Sequence, residues 1–275
     1  MIVAAAICPS PPLLASELTG QADILPELRA ASAAAVTRLL AAAPDVVAVV
    51  GPAETTGPWD PAGELSLASF APALRRHSSQ SDNSKRRNAA RSAAAPSVVG
   101  RSAAGPPAAA PSATGAPPAA PFLPLALGIG ARLLDQAGYT GPRTFHGIGE
   151  DEPAAACLAM GRELASSAPR VALLAVGDGS ARRSAAAPGY LDERAAPFDE
   201  TVERAVRDGD LPALAALDPA LAADLLAAGR PAWQTLAGAL SAPHAPEAAA
   251  ARLQTEVLYS DAPLGVAYLV ATFIP

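Results

Sequence analysis

The chain predicts an α/β domain with a central, mostly parallel or mixed sheet and helices on both faces. Three observations carry that expectation. Short apolar runs at residues 2–7 and 46–50, and another after Arg170 up to residue 176, read as strands buried on both sides. Between them lie segments with apolar residues at helical spacing. Strand, helix, strand in that order suits a parallel crossover rather than a meander. At 275 residues the chain can bury a sizeable core in one large domain, residues 1–275. With only 4% aromatic residues, that core must be assembled mainly from Ala, Leu and Val.

The first strand is stopped by prolines at 9, 11 and 12. Residues 21–43 then place Ile24, Leu28, Ala31, Ala35 and Leu39 on one helix face, and Pro44-Asp45 ends the helix. After the strand at 46–50, Gly51-Pro52 opens a loop. From residue 77 to 121 the chain becomes Ser, Ala, Pro, Gly and Arg without an apolar period, so it cannot bury enough surface to offset its ordering entropy. The expectation is a disordered insertion that interrupts one domain. The piece before it offers two strands and one long helix, a sheet too small to protect its edges.

Residues 122–137 are expected as a helix stopped at Gly138, and residues 143–148 as a short strand. Asp151 reads as the cap of a helix with Glu152 and Pro153 in its first turn. Cys157, Met160 and Leu164 share a stripe of that helix, which suits a buried structural thiol. Phe198, Val202 and Val206 mark an amphipathic helix. Asp210-Leu211-Pro212 and Asp218-Pro219 each read as a cap followed by an early proline, opening two short helices before one around Trp233. Residues 265–274 close the chain as a strand.

The net charge of −6 conceals an asymmetry. Residues 75–121 hold seven Lys or Arg and one acid, which leaves 13 basic and 25 acidic residues elsewhere. So acidic a body does not favour nucleic acid. Cys8 and Cys157 are too far apart in sequence for a metal pair and suggest no disulfide framework. No apolar run reaches bilayer length, since Arg132 interrupts the longest candidate, and residues 2–7 are too short for a signal-peptide core. The expected setting is the cytoplasm.

In an open sheet, ligands collect beyond the carboxyl ends of strands. That points to residues 8–12, 51–57, 177–182 and 259–265. The three histidines, His77, His146 and His244, show no metal-ligand spacing, and each suits a hydrogen-bonded loop residue. Gly128-Ile129-Gly130 lacks a preceding strand and a third glycine, so it does not read as a dinucleotide site. Gly51 to Gly57 lacks the Lys and hydroxyl of a phosphate loop, and Asp178 and Arg182 occupy the glycine positions of a nucleophile elbow around Ser180. A hydrolase built on Ser10 or Ser180 with His146 or His244 is favoured by no spacing. Asp178 also suits a role closing the following turn.

The most specific stretch is residues 176–199, VGDGSARRSAAAPGYLDERAAPFD. Its Gly-Asp-x-Ser run, Pro-Gly-Tyr segment and Phe-Asp resemble the class III extradiol ring-cleaving dioxygenases of the subunit-B type. Pro9-x-Pro11-Pro12, the Gly209-Asp210-Leu211 and Leu217-Asp218-Pro219 turns, Trp233 and Gly265-Val266-Ala267-Tyr268 extend the resemblance. The family implies Fe(II) held by two histidines and a carboxylate, with a further histidine for proton transfer. Here the histidine positions carry Ser10, Ala53 and Ala181, and Asp261 is the counterpart of the carboxylate. A hydroxyl, a methyl and one carboxylate are a poor donor set for ferrous iron.

The resemblance therefore implies a catalytically degenerate relative with no metal or other cofactor. Its remnant pocket would comprise Ser10, Ala53, Glu54, Asp178, Ser180, Ala181, Tyr259 and Asp261. A small-molecule ligand, a further copy of the chain or a partner subunit would occupy it, with no membrane and no nucleic acid. The rival expectation is an active enzyme, either an iron dioxygenase with relocated ligands or a metal-free hydrolase.

Overall fold

A computed structural model of the chain describes residues 1–14, 24–65, 122–242 and 253–275. The expected insertion, residues 77–121, lies outside the described residues, as does His244.

Strands β1 (Ile2–Cys8), β2 (Val46–Pro52), β6 (Arg143–Ile148) and β7 (Val171–Val176) form the parallel heart of a seven-stranded mixed sheet. With β3 (Gly57–Trp59), β8 (Gln254–Asp261) and β9 (Tyr268–Ile274) at its sides, its order is β3-β6-β2-β7-β1-β9-β8. Strand β7 enters last of the four and takes the slot between β1 and β2. It is buried along its whole length, as its unbroken apolar sequence requires. Cys8 pairs with Val176, and Pro52 with Ile148, so the parallel strands end nearly flush.

Two edges complete the sheet. Strand β3 (Gly57–Trp59) runs antiparallel to β6, within residues expected only as a loop. At the other side β9 (Tyr268–Ile274) lies antiparallel to β1, and β8 (Gln254–Asp261) antiparallel to β9. The end of β8 and the start of β9 therefore stand at the same end of the sheet as the carboxyl ends of the parallel strands. Strand β8 escaped the sequence reading because its residues are half-exposed and a bulge between Val257 and Tyr259 breaks their alternation.

One face carries α1 (Pro26–Ala41) over β1 and β9, and α2 (Leu125–Gln136) over β2 and β7. Helix α1 buries Leu28, Ser32, Ala35, Val36 and Leu39. Its buried stripe includes Ser32 rather than Ala31, and Ile24 stays outside the helix and exposed. The helix expected from residue 122 begins later, because Phe122–Leu123 forms β5, paired with β4 (Glu64–Leu65). Gly128 and Gly130 within α2 are packing positions: a Cβ on Gly128 would strike the Leu65 side chain, and one on Gly130 would strike Val49. Gly138 ends the segment in a left-handed turn at φ 73°, as expected.

The opposite face holds α3 (Ala154–Ala165), α4 (Ala195–Asp208), α5 (Leu211–Ala215), α6 (Pro219–Asp224) and α7 (Arg230–Leu240). Asp210 and Asp218 cap α5 and α6 as their sequences predict, accepting from the N–H groups of Ala213 and Ala220 at 2.9 Å each. Asp151 does not cap α3; Pro153 precedes its first residue and no side chain closes that end. Helix α7 lies on β7, β2 and β1 and buries its whole length. Helix α3 crosses α7 almost backbone to backbone. A Cβ on Gly161 would come within 2.6 Å of the Ala239 nitrogen, and one on Gly238 within 2.7 Å of the Leu158 Cα. Small residues at this crossing replace the interdigitation that larger side chains provide elsewhere.

Arg230, 1% exposed, is the least expected member of this face. Its guanidinium donates to Glu152 O at 2.6 Å, to Gln234 Oε1 at 2.9 Å and to Glu150 O. Gln234 in turn donates to Ala215 O at 3.0 Å and Leu217 O at 2.9 Å. One buried network thus pins the loop after β6 and the end of α5 to α7.

Candidate functional site

All four loop regions expected to gather ligands stand at one end of the sheet, since β8 runs parallel to β1 across the intervening β9. Between neighbouring β1 and β7, the backbone N–H of Ser10 donates to Asp178 Oδ1 at 2.6 Å. That bond joins two of the expected site residues directly. Asp178 is withdrawn from water, which pushes its carboxyl up to about 6 against the opposing pull of its hydrogen bonds with Ser10. Close by, burial pushes the Tyr268 phenol up, and the charges of Asp178 and then Tyr259 add to the effect.

The next turn of the same loop is tied to α4. Ser180 N–H donates to Asp199 Oδ1 at 2.9 Å, and its hydroxyl donates to Asp199 Oδ2. Arg183 completes the arrangement with an ion pair to Asp199 Oδ2 at 3.2 Å. Burial raises the Asp199 carboxyl, while Ser180 and Arg183 hold it down in part. Ser180 is fully buried, so its hydroxyl fastens the loop to the helix and presents nothing to solvent. The Gly179 and Ala267 backbones also pair, Gly179 N–H donating to Ala267 O at 2.8 Å, and Ala267 N–H donates to Ser180 O at 2.8 Å. Loop, α4 and the start of β9 are one hydrogen-bonded unit.

A cavity of about 220 Å³ opens beside this unit. Arg183, Asp199, Glu203, Trp233, Asp261 and Tyr268 are among its lining residues. Ser260, also on its wall, donates to Glu203 Oε2 at 2.7 Å. Acceptors outnumber donors on this wall, so the cavity suits a small polar ligand that brings N–H or O–H groups.

The remaining expected residues are spread along the strand ends. Ala53 follows β2 and donates its backbone N–H to Ile148 O at 2.9 Å, facing β6 rather than Asp178. Glu54 is exposed, and no hydrogen bond links it to the others among the described residues. Ala181 donates its N–H to Leu225 O and accepts from Gly189, both at 3.0 Å, so its backbone is committed to the loop. Tyr259 sits half-buried in β8, its phenol raised by burial and then by the charges of Asp261 and Glu27. Asp261 is exposed, and its Oδ1 accepts from Ala262 N–H at 2.7 Å. His146 lies within β6, opposite Val50 and Pro58, and burial lowers its imidazole.

The donor set does not fit Fe(II). Ser10, Ala53 and Asp261 offer one hydroxyl, no donor and one exposed carboxylate in place of two imidazoles and a carboxylate. Among the described residues no three His, Cys, Asp or Glu side chains are grouped as a metal site. Also among them, no helix is long and apolar enough to cross a membrane. Asp199, Arg183, Trp233 and Tyr268 were not expected in the pocket. Asp199 belongs to the Phe-Asp pair that signalled the start of α4, but only the folded chain shows it turned toward Ser180.

No family model matches the chain, and no curated protein matches it. A solved structure that does match is the uncharacterized protein JW3007 from Escherichia coli K12, at 17% identity and a TM-score of 0.51. The match covers 99% of this chain and 100% of that one. At this identity the likeness shows a shared fold and nothing beyond it.

Proposed function

We propose that the chain is a catalytically degenerate relative of the class III extradiol dioxygenases of the subunit-B type, and that it binds a small polar ligand at its strand ends without Fe(II). One observation carries the reading. The loop after β7 is held by hydrogen bonds, Ser10 N–H donating to Asp178 and the Ser180 hydroxyl to Asp199, while the positions where the resemblance implies imidazoles carry Ser10, Ala53 and Ala181. A scaffold kept in place with its donors removed suits binding better than oxygen chemistry. Tyr268 and the acid-lined cavity supply the recognition surface. Two free, buried cysteines suit a reducing, cytoplasmic setting.

The test is anaerobic reconstitution of the purified full chain with Fe(II), followed by metal analysis and a catechol oxidation assay. The expected result is substoichiometric iron and no ring-opened product. Iron at one equivalent with ring cleavage overturns the reading in favour of relocated ligands.

A further inference from the structure

We draw no further inference here: the strongest candidate, the cluster of carboxylates on the wall of the cavity between α4 and the end of β8, belongs to the site already described, and its Asp199 and Glu203 are already engaged by Ser180, Arg183, Arg207 and Ser260 of the same chain.

Discussion

Replacing Asp178 with Asn should stabilise the protein at neutral pH, because the native carboxyl is held where its charge is disfavoured. In the unfolded chain it ionises near 3.8, whereas in the folded protein it keeps its proton to about 6. Below pH 4 both states are protonated and the site costs nothing. Between pH 4 and 6 the unfolded chain has released the proton and the native state has not, so stability falls as pH rises. Above pH 6 the full cost persists, on the order of 3 kcal/mol for a shift of this size. Asn keeps an oxygen to accept the 2.6 Å bond from Ser10 N–H, so the geometry that joins β1 to β7 survives. Allowing for an imperfect fit of the amide nitrogen, the variant should gain about 1–3 kcal/mol at pH 7.5, or roughly 3–8 °C in Tm. Thermal melts of both proteins at pH 4, 5, 6 and 7.5 measure it. The gap should open between pH 4 and 6 and stay constant above. A variant no more stable than the wild type at pH 7.5, or a gap that does not close on acidification, refutes the argument.

Two further outcomes concern the body of the fold. Gly161→Ala should destabilise by about 2–3 kcal/mol, since the added Cβ meets the α7 backbone and outweighs the better helix propensity of Ala. Gly138→Ala meets open space and should cost only about 1 kcal/mol, for its left-handed φ of 73°; equal melting temperatures for the two variants would sink the packing argument. Cys8 and Cys157 are buried, and burial pushes the Cys8 thiol up to about 12. Neither should react with a chromogenic disulfide reagent at pH 8 until the chain unfolds, and one thiol per chain titrating within minutes in the native state would contradict that.

Much of the fold was legible in the residues. The apolar runs of β1, β2 and β7 have only one comfortable place, the centre of a sheet covered on both sides, and the caps Asp210 and Asp218 announce α5 and α6 by local chemistry. Strands β3 and β8 were not legible, because an edge strand is half-exposed and carries neither an apolar run nor a clean alternation. The Gly128-x-Gly130 pair looked like a weak motif and is a close contact between α2 and its neighbours. The network around Arg230 left no trace in sequence, since its partners are mainly carbonyl oxygens, which every residue possesses.

By itself the sequence determined that the chain builds an α/β sheet and that the positions where its resemblance implies imidazole hold Ser10, Ala53 and Ala181; both follow from side-chain type and order along the chain. Only the tertiary structure decided that Ser10 meets Asp178 and that Ser180 is spent on Asp199. These are contacts between residues far apart in the chain, and they exist only after β7 has taken its place between β1 and β2.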